Sequence, residues 1–462
     1  MSSEPHDLTA AASEDSVSGT TPGRGNSELL PGDREVSLEA CVLRKISWRI
    51  LPFVMLLYLV SFLDRVNVGF AALAMNKEIG LTPSMFGLGG GIFFLGYFLF
   101  EIPSNLILHR VGARVWIARV MVSWGFVSIA TAFVTGPHSF YLLRFLLGLA
   151  EAGFFPGIIL YLSLWFPARQ RAAAIAAFMA AAPLSTAVGS PISGALMEMP
   201  ALGGLSNWQW LFILEALPAV VLGLAVLKVL TDRPEEASWL TLAERGWLAR
   251  KLQSERTGNQ SQPRHTESVW RALKDPRVLV LSLIYLGTSA GLYTLGLWAP
   301  LIIRQFNSST FKIGLLTAIP SVVAVLSMIA WARHSDRTQE RTWHVVIPCA
   351  AGCIGMILAA GAHSQVSVIL ALCIVGFGVN AGKPPLWAMP TLFLSGAGAA
   401  AGIAMINSIG NLGGFFGPLA IGWLKQATGS YAGGLYVVAA MLATSAVITV
   451  LLSRRRPVAP PA

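Results

Sequence analysis

Residues 140–165 read FYLLRFLLGLAEAGFFPGIILYLSLW, an apolar run interrupted by only two charges, Arg144 and Glu151. About 20 mostly apolar residues make a membrane-spanning helix. A charge in the middle of such a span costs roughly 2.5–3.5 kcal/mol on insertion scales. Side chains held at that cost face a cavity and one another rather than lipid. The stretch therefore points both to a membrane protein and to polar chemistry enclosed by its spans.

The same pattern recurs on either side. Candidate spans cover roughly 48–72, 84–108, 115–134, 140–165, 172–197 and 208–230, then 278–303, 313–332, 343–361, 366–386, 397–424 and 431–452. The tenth is the least regular, because Lys383, Pro384 and Pro385 interrupt it. Of 462 residues, 54% are apolar and 12% charged, against roughly 25% charged in a soluble domain. That balance excludes a soluble enzyme, a secreted domain and a transcription factor. The net charge of +10 comes from Lys and Arg in short loops, such as Arg44, Lys45, Arg49, Arg110, Arg114, Arg169 and Arg171. This is the positive-inside pattern and not a nucleic-acid face. It places both termini and the even-numbered connections in the cytoplasm.

The expected fold is an all-α membrane protein with twelve transmembrane helices in two pseudo-symmetric six-helix bundles. Residues 1–41 read as a disordered cytoplasmic tail with no signal peptide. Residues 42–230 are the N-terminal bundle, 231–274 a cytoplasmic linker, 275–453 the C-terminal bundle and 454–462 a second tail. The linker holds a short amphipathic stretch at 241–252. Glu151-Ala152-Gly153-Phe154-Phe155-Pro156 in span 4 and Asn380-Ala381-Gly382-Lys383-Pro384-Pro385 in span 10 share the pattern x-Ala-Gly-x-x-Pro. Gly189 and Gly194 recur as Gly417 and Gly422, and Tyr58 and Gly69 as Tyr285 and Gly296. Duplicated halves with a site between them are a transporter architecture.

Asp64 and Arg65 in span 1 join Arg144 and Glu151 as charges at bilayer depth. All four together cost on the order of 12 kcal/mol against apolar replacements on the insertion scale. Arg144 and Glu151 are seven residues apart, hence on one helical face and about 10 Å apart. Gly148 lies between them. Asp64 and Arg65 point about 100° apart. Two acids and two guanidiniums sum to zero. Arginine keeps its proton, whereas a carboxylate can take one up. Protonating one acid leaves a net positive cavity that accepts a carboxylate, which is the logic of proton–anion symport. Glu101 and Glu215 read as structural contacts nearer helix ends.

The motifs Asp64-Arg65-x-Asn67-x-Gly69, Phe98-Leu99-Phe100-Glu101-Ile102-Pro103-Ser104-Asn105 and Arg144-Phe145-x-x-Gly148-x-x-Glu151-Ala152-Gly153 resemble the anion:cation symporter branch of the major facilitator superfamily. So does Asn407-Ser408-Ile409-Gly410-Asn411-Leu412-Gly413-Gly414 in span 11. The resemblance runs from Arg44 to Leu452. It implies that Asp64 and Glu151 carry the coupling proton, that Arg65 holds the substrate carboxylate, and that Arg144 tunes Glu151 and assists the anion. Tyr97, Asn407 and Asn411 are implied as polar contacts. Similar proteins carry tartrate, sugar acids, phthalate or hydroxyphenylacetate, mostly in bacterial inner membranes, and a monomer is implied.

Two departures stand out. His109 replaces the acid of the span 2–3 loop, whereas Asp336-Arg337 remains in the span 8–9 loop. Lys383 in span 10 stands where a small or apolar residue is expected; it either faces the cavity or snorkels to an interface. Facing the cavity, it suits the second carboxylate of a dianion. Trp387 is a candidate stacking surface for the substrate.

No P-loop occurs, so ATP does not drive this chain by itself. The short extracytoplasmic loops offer no catalytic cluster, so it is not an intramembrane enzyme. The four cysteines read as buried hydrophobes. His334, His344 and His363 read as isolated, so no metal is expected, and the expected coupling ion is the proton. The expected function is proton-coupled import of an organic carboxylate, a small-molecule anion. The alternative is an exporter of an amphiphilic compound on the same fold. Lys383→Ala is expected to impair transport of dianions more than of monoanions, measured as uptake of both classes into proteoliposomes.

Overall fold

The structure is a computed structural model that describes residues 31–258, 273–390, 393–394 and 396–454. Helices α1 (Ser37–Glu78), α2 (Pro83–Leu108), α3 (Ala113–Thr131), α4 (Pro137–Trp165), α5 (Ala168–Leu196) and α6 (Asn207–Val229) form the first half. Helices α7 (Pro276–Arg304), α8 (Thr310–Thr338), α9 (Thr342–Ala360), α10 (Gln365–Ala388), α11 and α12 (Ala432–Ser453) form the second. All but α11 are long and apolar enough to cross a membrane. In α11, two shorter segments, Gly396–Asn411 and Gly413–Thr428, meet at Leu412 in right-handed helical conformation. The eleventh expected span is thus a jointed helix. Among the described residues one isolated bridge, Leu202 to Leu205, takes the place of any sheet.

Local sequence sets the starts of these helices. Thr82 caps α2 by accepting from the Met85 amide at 3.3 Å, with Pro83 in the first turn. Proline is tolerated there because that amide has no helical partner. Residues 242–258 form a helix within the linker. Its start is a reciprocal cap: Thr241 N donates to Glu244 Oε2 at 2.9 Å and Glu244 N to Thr241 Oγ1 at 3.3 Å. The first helix also reaches back to Pro31, inside the stretch expected to be a disordered tail. That corrects the expectation for residues 31–41; residues 1–30 lie outside those described.

Residues from Val42 onward cluster as one compact unit, and every contact below lies within it. Helix pairing in one half repeats in the other. In the first half α3 packs on α6, α2 on α4 and α3 on α4. In the second, α9 packs on α12, α8 on α10 and α9 on α10. The halves meet along α5–α8, α2–α11 and α1–α7.

Two of these seams are glycine contacts related by the repeat. A Cβ on Gly194 of α5 would stand 3.0 Å from Gly314 Cα of α8. One on Gly422 of α11 would stand 3.0 Å from Gly87 Cα of α2. Only bare backbone allows so close an approach. These contacts close the end that carries the α1–α2 and α7–α8 turns.

The linker packs on the first half at the opposite end. Asp232 pairs with Arg114 at 3.2 Å, Glu244 with Lys45 at 2.5 Å, and Trp239 stacks on Trp165. The 8–9 connection pairs Asp336 with Arg341 at 2.7 Å. It brings together two histidines that the sequence separates by ten positions. His334 Nδ1 lies 2.7 Å from His344 Nε2, and His344 Nδ1 lies 3.0 Å from Glu340. They are not isolated, because the short 339–341 connection brings the start of α9 against the end of α8. The side chain of His109 lies outside the described residues.

The x-Ala-Gly-x-x-Pro repeats mark helix breaks. α4 stops at Glu151 and resumes at Phe154, with Gly153 at φ +90°. α10 stops at Asn380 and resumes at Lys383. At the first break Ser104 Oγ donates to the freed Ala152 carbonyl at 2.7 Å, and Trp116 Nε1 donates to Ser104 at 2.9 Å. A Cβ on Gly153 would fall 1.8 Å from Ser104 Oγ. Gly153→Ala is expected to cost about 1–3 kcal/mol for the left-handed backbone alone. It should lower the unfolding temperature in detergent and reduce transport.

Candidate functional site

Ser61 and Arg65 lie four residues apart on α1 and so share a face. Both reach Glu151 at the break in α4. Ser61 Oγ donates to Glu151 Oε1 at 2.7 Å, and Arg65 Nε donates to the same oxygen at 3.1 Å. Arg65 Nη2 also binds that oxygen, closing a buried ion pair. Arg65 Nη1 donates across the seam to the Tyr293 hydroxyl of α7 at 2.9 Å. The rings of Phe93 and Tyr97 face the guanidinium, with centroids 5.4 and 5.3 Å away. Hydrogen bonds and aromatic faces thus hold this buried cation in place.

Arg65 lines a central cavity with residues of both halves: Tyr97, Tyr293, Lys383, Asn407 and Asn411. Its volume is about 30 Å³, room for two or three waters at roughly 10–15 Å³ each. An organic acid enters only if the walls part. Lys383 faces this cavity and donates to Asn380 Oδ1 at 3.3 Å. Among the described residues no carboxylate forms an ion pair with it. Asn407 and Asn411 reach the cavity from α11, one turn apart.

Three expected residues stand elsewhere. Asp64 is 2% exposed and points toward α3, where Trp124 Nε1 donates to it at 3.0 Å and Ser128 Oγ at 3.3 Å. The 100° step between adjacent helical residues separates it from the cavity. Arg144 is 1% exposed and makes no pair with Glu151. Its Nε donates to the Gly89 carbonyl of α2 at 3.4 Å, its guanidinium lies 5.1 Å from the Phe93 ring, and Nη1 and Nη2 have no hydrogen-bond partner among the described residues. The reason is Gly148. A Cβ there would meet Phe93 O at 2.0 Å, so α2 fills the gap expected to join Arg144 to Glu151. Trp387 packs edge-on against Tyr285 at 5.1 Å, and Tyr285, not Trp387, lines the cavity.

Sequence reasoning missed Ser61 and Tyr293. Ser61 is one turn before Arg65, a signal that periodicity supplies. Tyr293 is eight residues after Tyr285 and thus on nearly the same face of α7, but nothing local ties it to Arg65. Glu101, expected to be a structural contact, joins α2 to α11 through Asn407 and Ser408. Glu215 accepts from Ser193 at 2.6 Å between α6 and α5. No group of metal-ligating side chains occurs among the described residues.

The model of the Major Facilitator Superfamily matches residues 54–418. The chain belongs to this family. A protein of Agrobacterium vitis named "Putative tartrate transporter" is 62% identical over 91% of this chain and 93% of its own length. The "Quinolone resistance transporter" of Acinetobacter baumannii is 40% identical over 90% of this chain and 96% of its own length. Among solved structures, a bacterial homologue of the human lysosomal transporter Spinster, inward-facing and unoccupied, superposes with a TM-score of 0.72. It is 16% identical and covers 88% of this chain and 97% of its own. The D-xylose–proton symporter gives 0.69 at 15% identity, over 87% and 97% of the two chains. These two show a shared fold. The family member described here is a multi-pass membrane transporter and not an enzyme.

Removing one partner of a buried ion pair leaves an uncompensated charge, at roughly 3–5 kcal/mol. Arg65→Ala is therefore expected to lower the unfolding temperature strongly. Arg65→Ala combined with Glu151→Gln should regain much of the stability and none of the transport. Equal destabilisation by the single and double variants would count against the pair as the holding contact.

Proposed function

We propose that this transporter imports an organic dianion of the hydroxy-dicarboxylate class together with protons. The Arg65–Glu151 pair, with Arg65 in the cavity wall, carries this reading. A substrate carboxylate and Glu151 compete for one guanidinium. With Glu151 ionised, Arg65 is already neutralised. With Glu151 protonated, Arg65 is released, and together with Lys383 it offers two positive charges. Two charges across one small cavity suit two carboxylates. Substrate and proton then bind together because each removes the other's obstacle. Arg144, with two unpartnered nitrogens behind Phe93, is assigned to stabilise the anion-loaded state. Asp64, buried without a cation, is assigned as a second proton carrier. The 62% identical relative with tartrate in its name supports a hydroxylated dicarboxylate as substrate. The protein is assigned to a bacterial inner membrane, acting as a monomer with both termini cytoplasmic.

The relative named for quinolone resistance favours a second reading, export of an amphiphilic compound. Proteoliposomes loaded with a pH dye separate the two. Tartrate added outside is expected to acidify the lumen with wild type. Glu151→Gln should abolish that acidification while keeping tartrate exchange, and Arg65→Ala should abolish both. No acidification with any carboxylate, together with proton-driven fluoroquinolone transport, would overturn import in favour of export.

A further inference from the structure

Glu101 on α2 is 1% exposed. Its carboxylate reaches across the seam to α11. Asn407 Nδ2 donates to Oε1 and Ser408 Oγ donates to Oε2, each at 2.5 Å. Among the described residues no cation forms an ion pair with it. An ionised carboxylate only accepts, so both partners must turn their donors toward it.

A side-chain amide has donors on one side and an acceptor on the other. With Nδ2 of Asn407 held by Glu101, the group left for the cavity is Oδ1, and Asn407 is part of the cavity wall. The charged and amide neighbours on that wall present the opposite polarity. Arg65 and Lys383 can only donate. Asn411 Oδ1 is taken by the Tyr293 hydroxyl at 3.5 Å, which leaves its amide protons. Asn380 spends Oδ1 on Lys383 and Nδ2 on the Gly376 carbonyl. Among the charged and amide groups of the wall, donors therefore await carboxylates, and one acceptor, Asn407 Oδ1, awaits a hydroxyl.

We infer that Glu101 is a positioning residue: by holding Asn407 Nδ2 it aims Oδ1 at the substrate and makes the cavity select hydroxylated dicarboxylates over plain ones. This rests on the dicarboxylate reading above. Glu101 touches no substrate and acts through Asn407. A ligand without a hydroxyl desolvates Oδ1 and leaves it unpaired, which sites built around a hydroxyl partner reject strongly. Glutamine at 101 would undo the arrangement, since its own amide can donate to Asn407 Oδ1 and let Asn407 turn round.

The test is binding of tartrate and succinate, two acids of equal carbon length, to purified protein by calorimetry. Wild type is expected to prefer tartrate by about tenfold or more. In Glu101→Gln the preference should fall to within about threefold of unity, mainly through weaker tartrate binding. Ser408→Ala removes the other bond on the same carboxylate and leaves Asn407 held, so it should keep the preference. Equal loss in both variants would mean that the bridge merely ties α2 to α11, and would overturn the inference. If Glu101→Gln does not fold, Asn407→Ala should abolish the preference, and its persistence would overturn the inference. Wild type binding both acids equally would overturn the role of Glu101 and leave the dicarboxylate reading standing. Wild type binding neither acid would remove both.

Discussion

A guanidinium buried among apolar helices has to be neutralised and hydrogen-bonded, and the centre of this protein is arranged around that need at Arg65. Glu151 supplies the charge, Ser61 completes the Glu151 oxygen, and Tyr293 takes the remaining donor. The ring faces of Phe93 and Tyr97 cover the rest. These partners come from α1, α2, α4 and α7, so one side chain holds both halves at the cavity. The same arrangement gives the site its chemistry. On the proposed reading, an anion competes with Glu151 for Arg65, and a proton on Glu151 releases it.

The break in α4 makes this possible. An unbroken helix would leave its carbonyls satisfied and carry the chain straight past Arg65. Gly153 turns the backbone at φ +90°, and Ser104 takes the freed carbonyl. Glu151 then ends one helical segment instead of lying in the middle of a longer one. The second break places Lys383 correspondingly in α10, next to the repeat partner of Glu151. Duplication has thus produced two broken helices facing one cavity, one ending in an acid and the other restarting with a base.

Closure around the cavity depends on bare backbone. The α5–α8 and α2–α11 seams are built on glycine pairs related by the repeat, and α1 meets α7 through Gly69 and Gly296. Small residues bring these backbones into direct contact, and in the α2–α11 seam the Phe94 and Phe415 rings fill the notches left at Gly414 and Gly91. Two polar ties across the interface, Arg65–Tyr293 and Glu101–Asn407, lie beside the cavity itself. Events in the cavity therefore act directly on the contacts between the halves.

Much of the fold was legible in the sequence, because spans, loop charges and repeats are properties of each segment by itself. Apolar length sets the helices, Lys and Arg mark their ends, and the x-Ala-Gly-x-x-Pro pattern marks matching places in the two halves. The cost of charge in lipid singled out Asp64, Arg65, Arg144 and Glu151. Which of them pair was not legible. Helical spacing put Arg144 and Glu151 on one face, yet α2 enters at Gly148 and occupies the space between them. Spacing also left Lys383 undecided, and only the packing of α10 turned it toward the cavity. Periodicity along one helix fixes a direction, but not what stands there. The occupant is set by helices hundreds of residues away in the chain, and so only the tertiary structure decided the partners of each charge.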